Sequence, residues 1–153
     1  MSKQQSNILF EDTFDVRALN ENGRKFERVD RLSCKGTTYD VDMIVDVNRE
    51  LLVVRPNDRL NLALASTLSV DGAPDDGKYR PLSQEANLSD SYDYVMHGRV
   101  YSIKQDENQN LEIQASFGGL LFRLRGEQAQ LSKFVMDQMF YLLIIHRKTE
   151  DDL

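Results

Sequence analysis

Two adjacent glycines in the stretch SFGGLLFRLRG, residues 116–126, raise the question of a phosphate-binding loop. A Walker loop needs the spacing Gly-x-x-x-x-Gly-Lys-Ser/Thr, and a dinucleotide loop needs Gly-x-Gly-x-x-Gly at the start of a helix. This stretch has neither spacing, and the residues after Gly118 and Gly119 alternate between apolar and polar side chains, as in a strand. We therefore predict that the glycine pair forms a turn or bend in a β-sheet, where positive φ angles are needed.

Side chains that commonly serve as catalytic bases and nucleophiles are few and scattered. The chain has two histidines, His97 and His146, and one cysteine, Cys34. Neither histidine has an acid or a nucleophile at a diagnostic local spacing, although pairing with Cys34 in the folded chain stays open. We predict no catalytic residue, and therefore a protein that is not an enzyme by itself.

The acidic residues also lack the spacing of a metal site. Asp71, Asp75 and Asp76 resemble a calcium loop, but they miss the order Asp-x-Asp-x-Asp-Gly, and Leu82 stands where a bidentate Glu is needed. A single cysteine cannot build a Cys-rich zinc site. We predict a solvated acidic loop, no metal, no cofactor and no small-molecule substrate.

The segment 16–40 carries the main cluster of basic residues in a chain whose net charge is −6. Residues 16–35 contain six Lys and Arg against three acidic residues, a local net charge of +3. Such a segment could bind single-stranded nucleic acid through phosphate charges. Interspersed charges of both signs are more typical of a solvated surface, and the acidic chain disfavours a dedicated nucleic-acid binder. The candidate residues are Arg17, Arg24, Lys25, Arg28, Arg31 and Lys35.

Alternation of apolar and polar residues is the dominant pattern of the chain, and it predicts strands that position these candidates. In residues 39–47, the apolar side chains share one face, while Asp40, Asp42 and Asp46 are expected to face water. The last predicted strand is apolar on both faces, so it should be covered on both sides. The predicted strands span residues 7–16, 26–34, 39–47, 60–66, 94–104, 111–117, 119–126 and 139–147.

Many short strands separated by turn signals predict an all-β chain, an antiparallel barrel or sandwich with little helix; residues 127–136 are the best helix candidate. Residues 1–153 have the length of a single domain. Residues 69–92 are predicted to form a long Ω-like loop, and residues 148–153 a frayed, charged tail. A secretory signal pattern and a membrane-length apolar run are both missing, so we expect no membrane association and a nuclear or cytoplasmic location.

Three stretches in this order are similar to those of one family: ILFEDTFDV at 8–16, DYVMHGRVY at 93–101 and SFGGLLFRL at 116–124. The family is the small shared subunit, eighth in size order, of the eukaryotic nuclear RNA polymerases I, II and III. The resemblance spans about residues 7–147. Two positions depart from the family pattern, because His97 stands where Tyr is common and Phe122 where Met is common.

The resemblance implies an antiparallel β-barrel of the oligonucleotide/oligosaccharide-binding (OB-fold) type. It also implies a non-catalytic structural subunit of DNA-directed RNA polymerase that supports transcription and docks on the largest subunit. The expected location is the nucleus, including the nucleolus through polymerase I. The family further implies weak, non-specific single-stranded DNA binding near the basic segment, so a free-standing nucleic-acid-binding module is the alternative hypothesis.

The predicted partner-binding residues lie on the two strands that carry the resemblance. Leu121, Arg123 and Arg125 alternate with apolar neighbours, so they should face outward. Arginine and exposed apolar residues are common at interfaces, although each arginine alone is equally typical of a solvated surface. An unpaired barrel edge would also offer a place for a partner strand. The full predicted set is Tyr94, Met96, His97, Gly98, Gly118, Gly119, Leu121, Arg123 and Arg125.

Overall fold

A computed structural model of the protein describes residues 8–21, 23, 27–68 and 91–148. Within these residues, eight strands form a closed antiparallel barrel with one short helix. The elements are β1 (Ile8–Leu19), β2 (Val29–Gly36), β3 (Asp42–Asn48), β4 (Arg59–Ala65), β5 (Tyr94–Gln105), β6 (Asn110–Phe117), β7 (Leu120–Glu127), α1 (Gln128–Leu131) and β8 (Met139–Arg147).

The strands follow one another around the barrel in the order β1, β2, β3, β7, β6, β5, β8 and β4, and β4 closes the barrel by pairing with β1. The predicted all-β antiparallel barrel is confirmed, and it is consistent with the OB type. The sequence analysis considered an unpaired strand edge. The described strands have no such edge, because each of them pairs with a neighbouring strand on both sides. Strand addition at a free edge is therefore unavailable there.

The inward side chains of the strands fill the barrel with a continuous apolar core. Three core phenylalanines contact one another edge to face, Phe117, Phe122 and Phe140, with centroids 5.3 to 6.2 Å apart. On the outer side of β8, Tyr141 and Leu143 form a second buried cluster with Ala63 and Ala65. The prediction that the last strand is covered on both sides is confirmed, because β8 is buried on both faces.

The glycine pair forms the two-residue turn between β6 and β7. Gly118 and Gly119 have φ angles of 64° and 101°, and the flanking residues Phe117 and Leu120 are directly paired. Two consecutive positive φ angles are the signature of a type I′ hairpin turn, which suits the twist of the strands. The pair is a turn, as predicted, and its role is to set the register of β7.

Several predicted boundaries are wrong. Strand β1 continues to Leu19 instead of ending at residue 16, and β2 begins at Val29 instead of residue 26. Strand β3 begins at Asp42 instead of residue 39, because the buried Asp12 carboxylate accepts the N–H groups of Thr38 and Tyr39 and holds them in a turn. The helix predicted for residues 127–136 is only Gln128–Leu131. It ends early because Phe134 packs on Phe140 in the core and draws the chain away from the helix axis.

Residues 69–90 of the predicted Ω-like loop and residues 149–153 of the predicted tail lie outside the described residues. Those two predictions therefore remain as stated above. Among the described residues, no helix is long and apolar enough to cross a membrane.

Candidate functional site

The outward row of β7 is the surface that the sequence analysis singled out. Leu121, Arg123 and Arg125 are exposed, whereas Phe122 and Leu124 between them are buried in the core. This arrangement follows from the period of two and from the register that the I′ turn imposes. Leu121 keeps 44% of its surface exposed, which is high for a leucine in the middle of a sheet.

A row of charged side chains runs across seven neighbouring strands on the outside of the barrel. Each residue faces the next directly across the strand pairing, and the sign of the charge alternates along the whole row. Opposite charges at facing positions stabilise a sheet by up to about 1 kcal/mol per pair. We call this row the charge ladder: Arg59, Asp15, Lys35, Asp42, Arg125, Glu112 and Lys104.

One of the predicted interface arginines is neutralised by acidic neighbours. Arg125 donates to Asp106 at 2.9 Å, and this hydrogen bond is the main reason that its guanidinium pKa is raised. Facing charges on Glu112 and Asp42 act in the same direction. Arg123 differs, because it has no ion-pair partner among the described residues.

Asp46 links β3 to β7 beyond the point where their backbone pairing ends. The last directly paired residues of these strands are Val45 and Phe122. Beyond them, the Asp46 carboxylate accepts the N–H of Leu121 at 3.1 Å and two hydrogen bonds from Arg31 at 2.7 and 3.0 Å. Asp46 is therefore buried, although the alternation predicted that it would face water.

A groove lies over this separation and joins the two regions that the sequence analysis treated as separate sites. It has a volume of about 260 Å³, and both Arg31 from the basic segment and Arg123 from the predicted interface line it. Tyr101 reaches it from β5, where a bulge between Val100 and Ser102 shifts the register. We call it the β3–β7 groove, defined by Arg31, Ile44, Asp46, Tyr101, Leu121 and Arg123.

The predicted residues of β5 do not join the groove. Tyr94 and Met96 point into the barrel, where the tyrosine hydroxyl donates to the Met96 sulfur at 3.3 Å. His97 faces outward but on the other side of the barrel, where its ring stacks on Tyr141 at 4.4 Å. A side chain at Gly98 would lie 2.4 Å from the Ser116 carbonyl oxygen, so this glycine permits the close approach of β5 and β6.

Most of the described basic-segment residues are paired with carboxylates. Arg31 binds Asp46, and this hydrogen bond is the main cause of its raised pKa. Lys35 contacts Asp40 and also Asp42 at 3.2 Å, and both raise its pKa, Asp40 more strongly. The exposed Arg28 lies 3.7 Å from Glu50, and Arg17 is exposed on β1. Arg24 and Lys25 lie outside the described residues.

The three side chains considered for catalysis lie in separate environments. Cys34 is buried on the inner side of β2, and burial raises its pKa to about 12. His146 lies with its Nε2 atom 2.7 Å from the buried Asp58 carboxylate, which also accepts the N–H of Arg55. Residues 58 and 146 are 88 positions apart, so no local spacing could reveal this pair. It fixes the loop before β4 against the end of β8.

No group of three or more His, Cys, Asp or Glu side chains in the described ranges is arranged to hold a metal ion. The β3–β7 groove is smaller than most small-molecule sites, which have volumes of about 300 to 1,000 Å³. Its tyrosine and arginine are residue types enriched at protein interfaces, and its exposed leucine offers apolar surface to a partner. The groove is therefore suited chemically to the side chains of another polypeptide.

Comparisons with known proteins place this barrel in a family. Residues 11–147 match the family model described as RNA polymerase Rpb8. A Caenorhabditis briggsae protein named probable DNA-directed RNA polymerases I, II, and III subunit RPABC3 is 38% identical over 94% of this chain and 97% of its own. DNA-directed RNA polymerases II, IV and V subunit 8B of Arabidopsis thaliana is 39% identical, over 90% and 94%. The Saccharomyces cerevisiae RPABC3 subunit is 32% identical, over 90% and 98%. The chain belongs to the RNA polymerase Rpb8 family.

Proposed function

We propose that this chain is a non-catalytic structural subunit shared by the nuclear DNA-directed RNA polymerases I, II and III, and that it docks on their largest subunit. Membership of the Rpb8 family supports a structural role in a polymerase. Relatives named as subunits of polymerases I, II and III match nearly the whole chain, which supports the shared assignment. The subunit acts in the nucleus, and through polymerase I in the nucleolus.

The set of polymerases that contain such a subunit differs among the relatives. The Arabidopsis protein is named for polymerases II, IV and V, whereas the nematode and yeast proteins are named for I, II and III. These relatives match 90% or more of this chain, so the matched sequence includes most of the barrel. Docking is therefore a property of the barrel surface, and the number of polymerases served depends on which large subunits offer a matching surface.

The outward row of β7 is the observation that carries the docking assignment. It combines an exposed leucine with an arginine that has no ion-pair partner among the described residues. A partner would remove Leu121 from water and would give Arg123 a counter-charge. The turn glycines Gly118 and Gly119 set the position of this row. Tyr94 and Met96 belong to the barrel core, and Gly98 permits the close approach of β5 and β6.

Affinity purification followed by quantitative mass spectrometry tests the proposal. The tagged chain should recover both large subunits of each polymerase at equal stoichiometry. Replacing Leu121→Asp together with Arg123→Glu should lower that recovery about tenfold or more, because an apolar contact becomes a buried charge and an attractive charge becomes repulsive. Circular dichroism should show that the variant barrel is folded.

A matched control separates this face from the rest of the surface. Leu51→Asp together with Arg147→Glu makes the same two chemical changes at exposed residues outside the groove. This variant should recover the large subunits as the unmodified chain does. If the two double variants behave alike, β7 is not the docking face, and if the unmodified chain recovers no polymerase subunit, the proposed function is wrong.

The alternative hypothesis, a nucleic-acid-binding module, stays a prediction. Its described cations are largely engaged, since Arg28, Arg31 and Lys35 each pair with a carboxylate. Fluorescence anisotropy with a labelled single-stranded oligonucleotide measures it directly. Binding that weakens steeply with salt, and that falls when Arg17 and Arg28 are replaced by Ala, would support this module.

A further inference from the structure

The chemistry of the β3–β7 groove indicates what kind of partner segment it accepts, and this inference rests on the proposed function. The groove exists because β3 and β7 separate after Val45 and Phe122. Asp46 replaces the missing backbone pairing with a side-chain hydrogen bond to the Leu121 N–H. The walls are therefore fixed on both sides, and a partner can fill a preformed space without a large ordering cost.

Among the described residues that line the groove, Arg123 is a cation with no ion-pair partner. The described lining of the groove has two acidic and two basic side chains: Glu21, Asp46, Arg31 and Arg123. Arg31 and Asp46 neutralise each other through two hydrogen bonds, whereas Glu21 keeps its charge and accepts a hydrogen bond from Ser33 at 2.6 Å. Arg123 remains, and its guanidinium suits a carboxylate because the two can form parallel hydrogen bonds.

The same balance of charges disfavours a polyanion in the groove. A nucleic-acid strand places a negative charge at every nucleotide, so it needs several free cations in a row. Here the rows on either side of Arg123 contain the neutralised Arg31–Asp46 pair and the charge ladder, in which Arg125 is bound to Asp106. Among the described lining residues, one arginine without an ion-pair partner fits a single carboxylate much better than a series of phosphates.

The apolar part of the groove lies next to that cation. Leu121 and Tyr101 are 44% and 46% exposed, and Ile44 lies half-buried between the two walls. Tyrosine and arginine are the residues most enriched at the centres of protein interfaces, where apolar neighbours exclude water from the charge pair. The groove therefore combines an apolar surface with one adjacent site for a carboxylate.

We propose that the β3–β7 groove binds a segment of the polymerase partner in which a Glu or Asp side chain stands next to a large apolar one. The carboxylate pairs with Arg123, and the apolar side chain packs between Leu121 and Tyr101. The Arg31–Asp46 pair keeps the opposite wall in place and contributes no net charge.

Photo-crosslinking in the assembled polymerase tests this proposal. The photoreactive residue p-benzoyl-phenylalanine replaces Tyr101 in the groove, or Tyr39 as a matched control, since Tyr39 is an exposed tyrosine in the turn between β2 and β3 and does not line the groove. After irradiation, the crosslinked peptide is sequenced by mass spectrometry. Position 101 should crosslink to a protein segment that contains an acidic residue next to a large apolar residue, and position 39 should not crosslink to that segment.

A charge swap then tests the pairing itself. Arg123→Glu should reduce recovery of the partner about tenfold or more, and replacing the mapped acidic residue by Arg should restore it in the same cells. A crosslink to nucleic acid, a segment without a carboxylate, or a swap that restores nothing would each overturn the inference. In all three cases the unmodified chain still recovers the polymerase, so the proposed function would stand. Loss of that recovery would overturn the function itself.

Discussion

Two outer faces of the same barrel differ in whether their outward apolar side chains are buried or exposed. On the face formed by β4, β8 and β5, Leu143 and Tyr141 are buried in the second apolar cluster although they point away from the barrel interior. On the face formed by β3, β7 and β6, Leu121 also points away from the interior but stays exposed beside Arg123. Strand β7 alternates between buried and exposed residues, whereas β8 is buried on both sides.

The comparison distinguishes residues that stabilise the fold from residues that are available to a partner. An outward leucine that is already buried contributes to folding, because the free energy of its burial is realised within the chain. An outward leucine that stays exposed contributes little to folding and is available to a partner. Leu143 and Leu121 are therefore a matched pair: the same residue type, each at an outward position of a barrel strand, with opposite expected roles.

Replacing each of these leucines by Asp should give the largest difference in the loss of unfolding free energy. Leu143→Asp buries a carboxylate in an apolar cluster and should lower the free energy of unfolding by about 4 kcal/mol or more. Leu121→Asp should cost about 1 kcal/mol or less, because its side chain is in contact with water. Urea denaturation measures both, and equal losses would show that the two faces do not differ in this way.

A smaller difference in the loss of unfolding free energy is expected between two aspartates of β3 that both point outward. Asp46→Ala should lower the free energy of unfolding by about 2 kcal/mol, because it leaves the Leu121 N–H and the Arg31 guanidinium without their acceptor. Asp42→Ala removes an exposed member of the charge ladder and should cost about 0.5 kcal/mol or less. Thermal or urea unfolding of the two variants compares them. A cost for Asp42→Ala that equals the cost for Asp46→Ala would contradict the role assigned to Asp46.

Much of the fold could be predicted from the sequence because most of its strands alternate between buried and exposed residues. Residues 111–117 and 119–126 match β6 and β7 to within a residue, and the glycine pair marks the turn between them. The start of β3 and the length of the helix could not be predicted. They depend on Asp12 and Phe134, whose contacts with distant residues override local preference.

The candidate site was predictable only in part, for the same reason. Alternation alone placed Leu121, Arg123 and Arg125 on the outer surface, and the structure confirms that placement. Alternation also placed Asp46 in water, where its pairing with Arg31 and Leu121 buries it. Which outward residues meet across strands depends on the register and strand order of the closed barrel, and no short sequence pattern contains that information.

The smallest effect on stability at neutral pH is expected from the ionisation of Cys34, which lies on the inner side of β2. Burial raises the pKa of this thiol from the ordinary 9.0 to about 12, so the folded chain should hold on the order of 1,000-fold less thiolate than the unfolded chain at pH 8. A thiol reagent should therefore label the folded protein slowly and the urea-unfolded protein fast. Because the pKa is raised in the fold, the contribution of this thiol to the free energy of unfolding is fully present below pH 9. That contribution is lost as the pH rises from 9 towards 12.

The same labelling experiment sharpens the comparison between the two faces. In Leu121→Asp the groove side of the barrel should stay closed, so Cys34 should be labelled as slowly as in the unmodified chain. In Leu143→Asp the population of opened molecules should rise with the lost stability, and labelling should accelerate accordingly. Fast labelling in Leu121→Asp would mean that the outer face of β7 also holds the barrel together. Leu121 would then be a structural residue of the fold, and the groove would lose its main apolar contact for a partner.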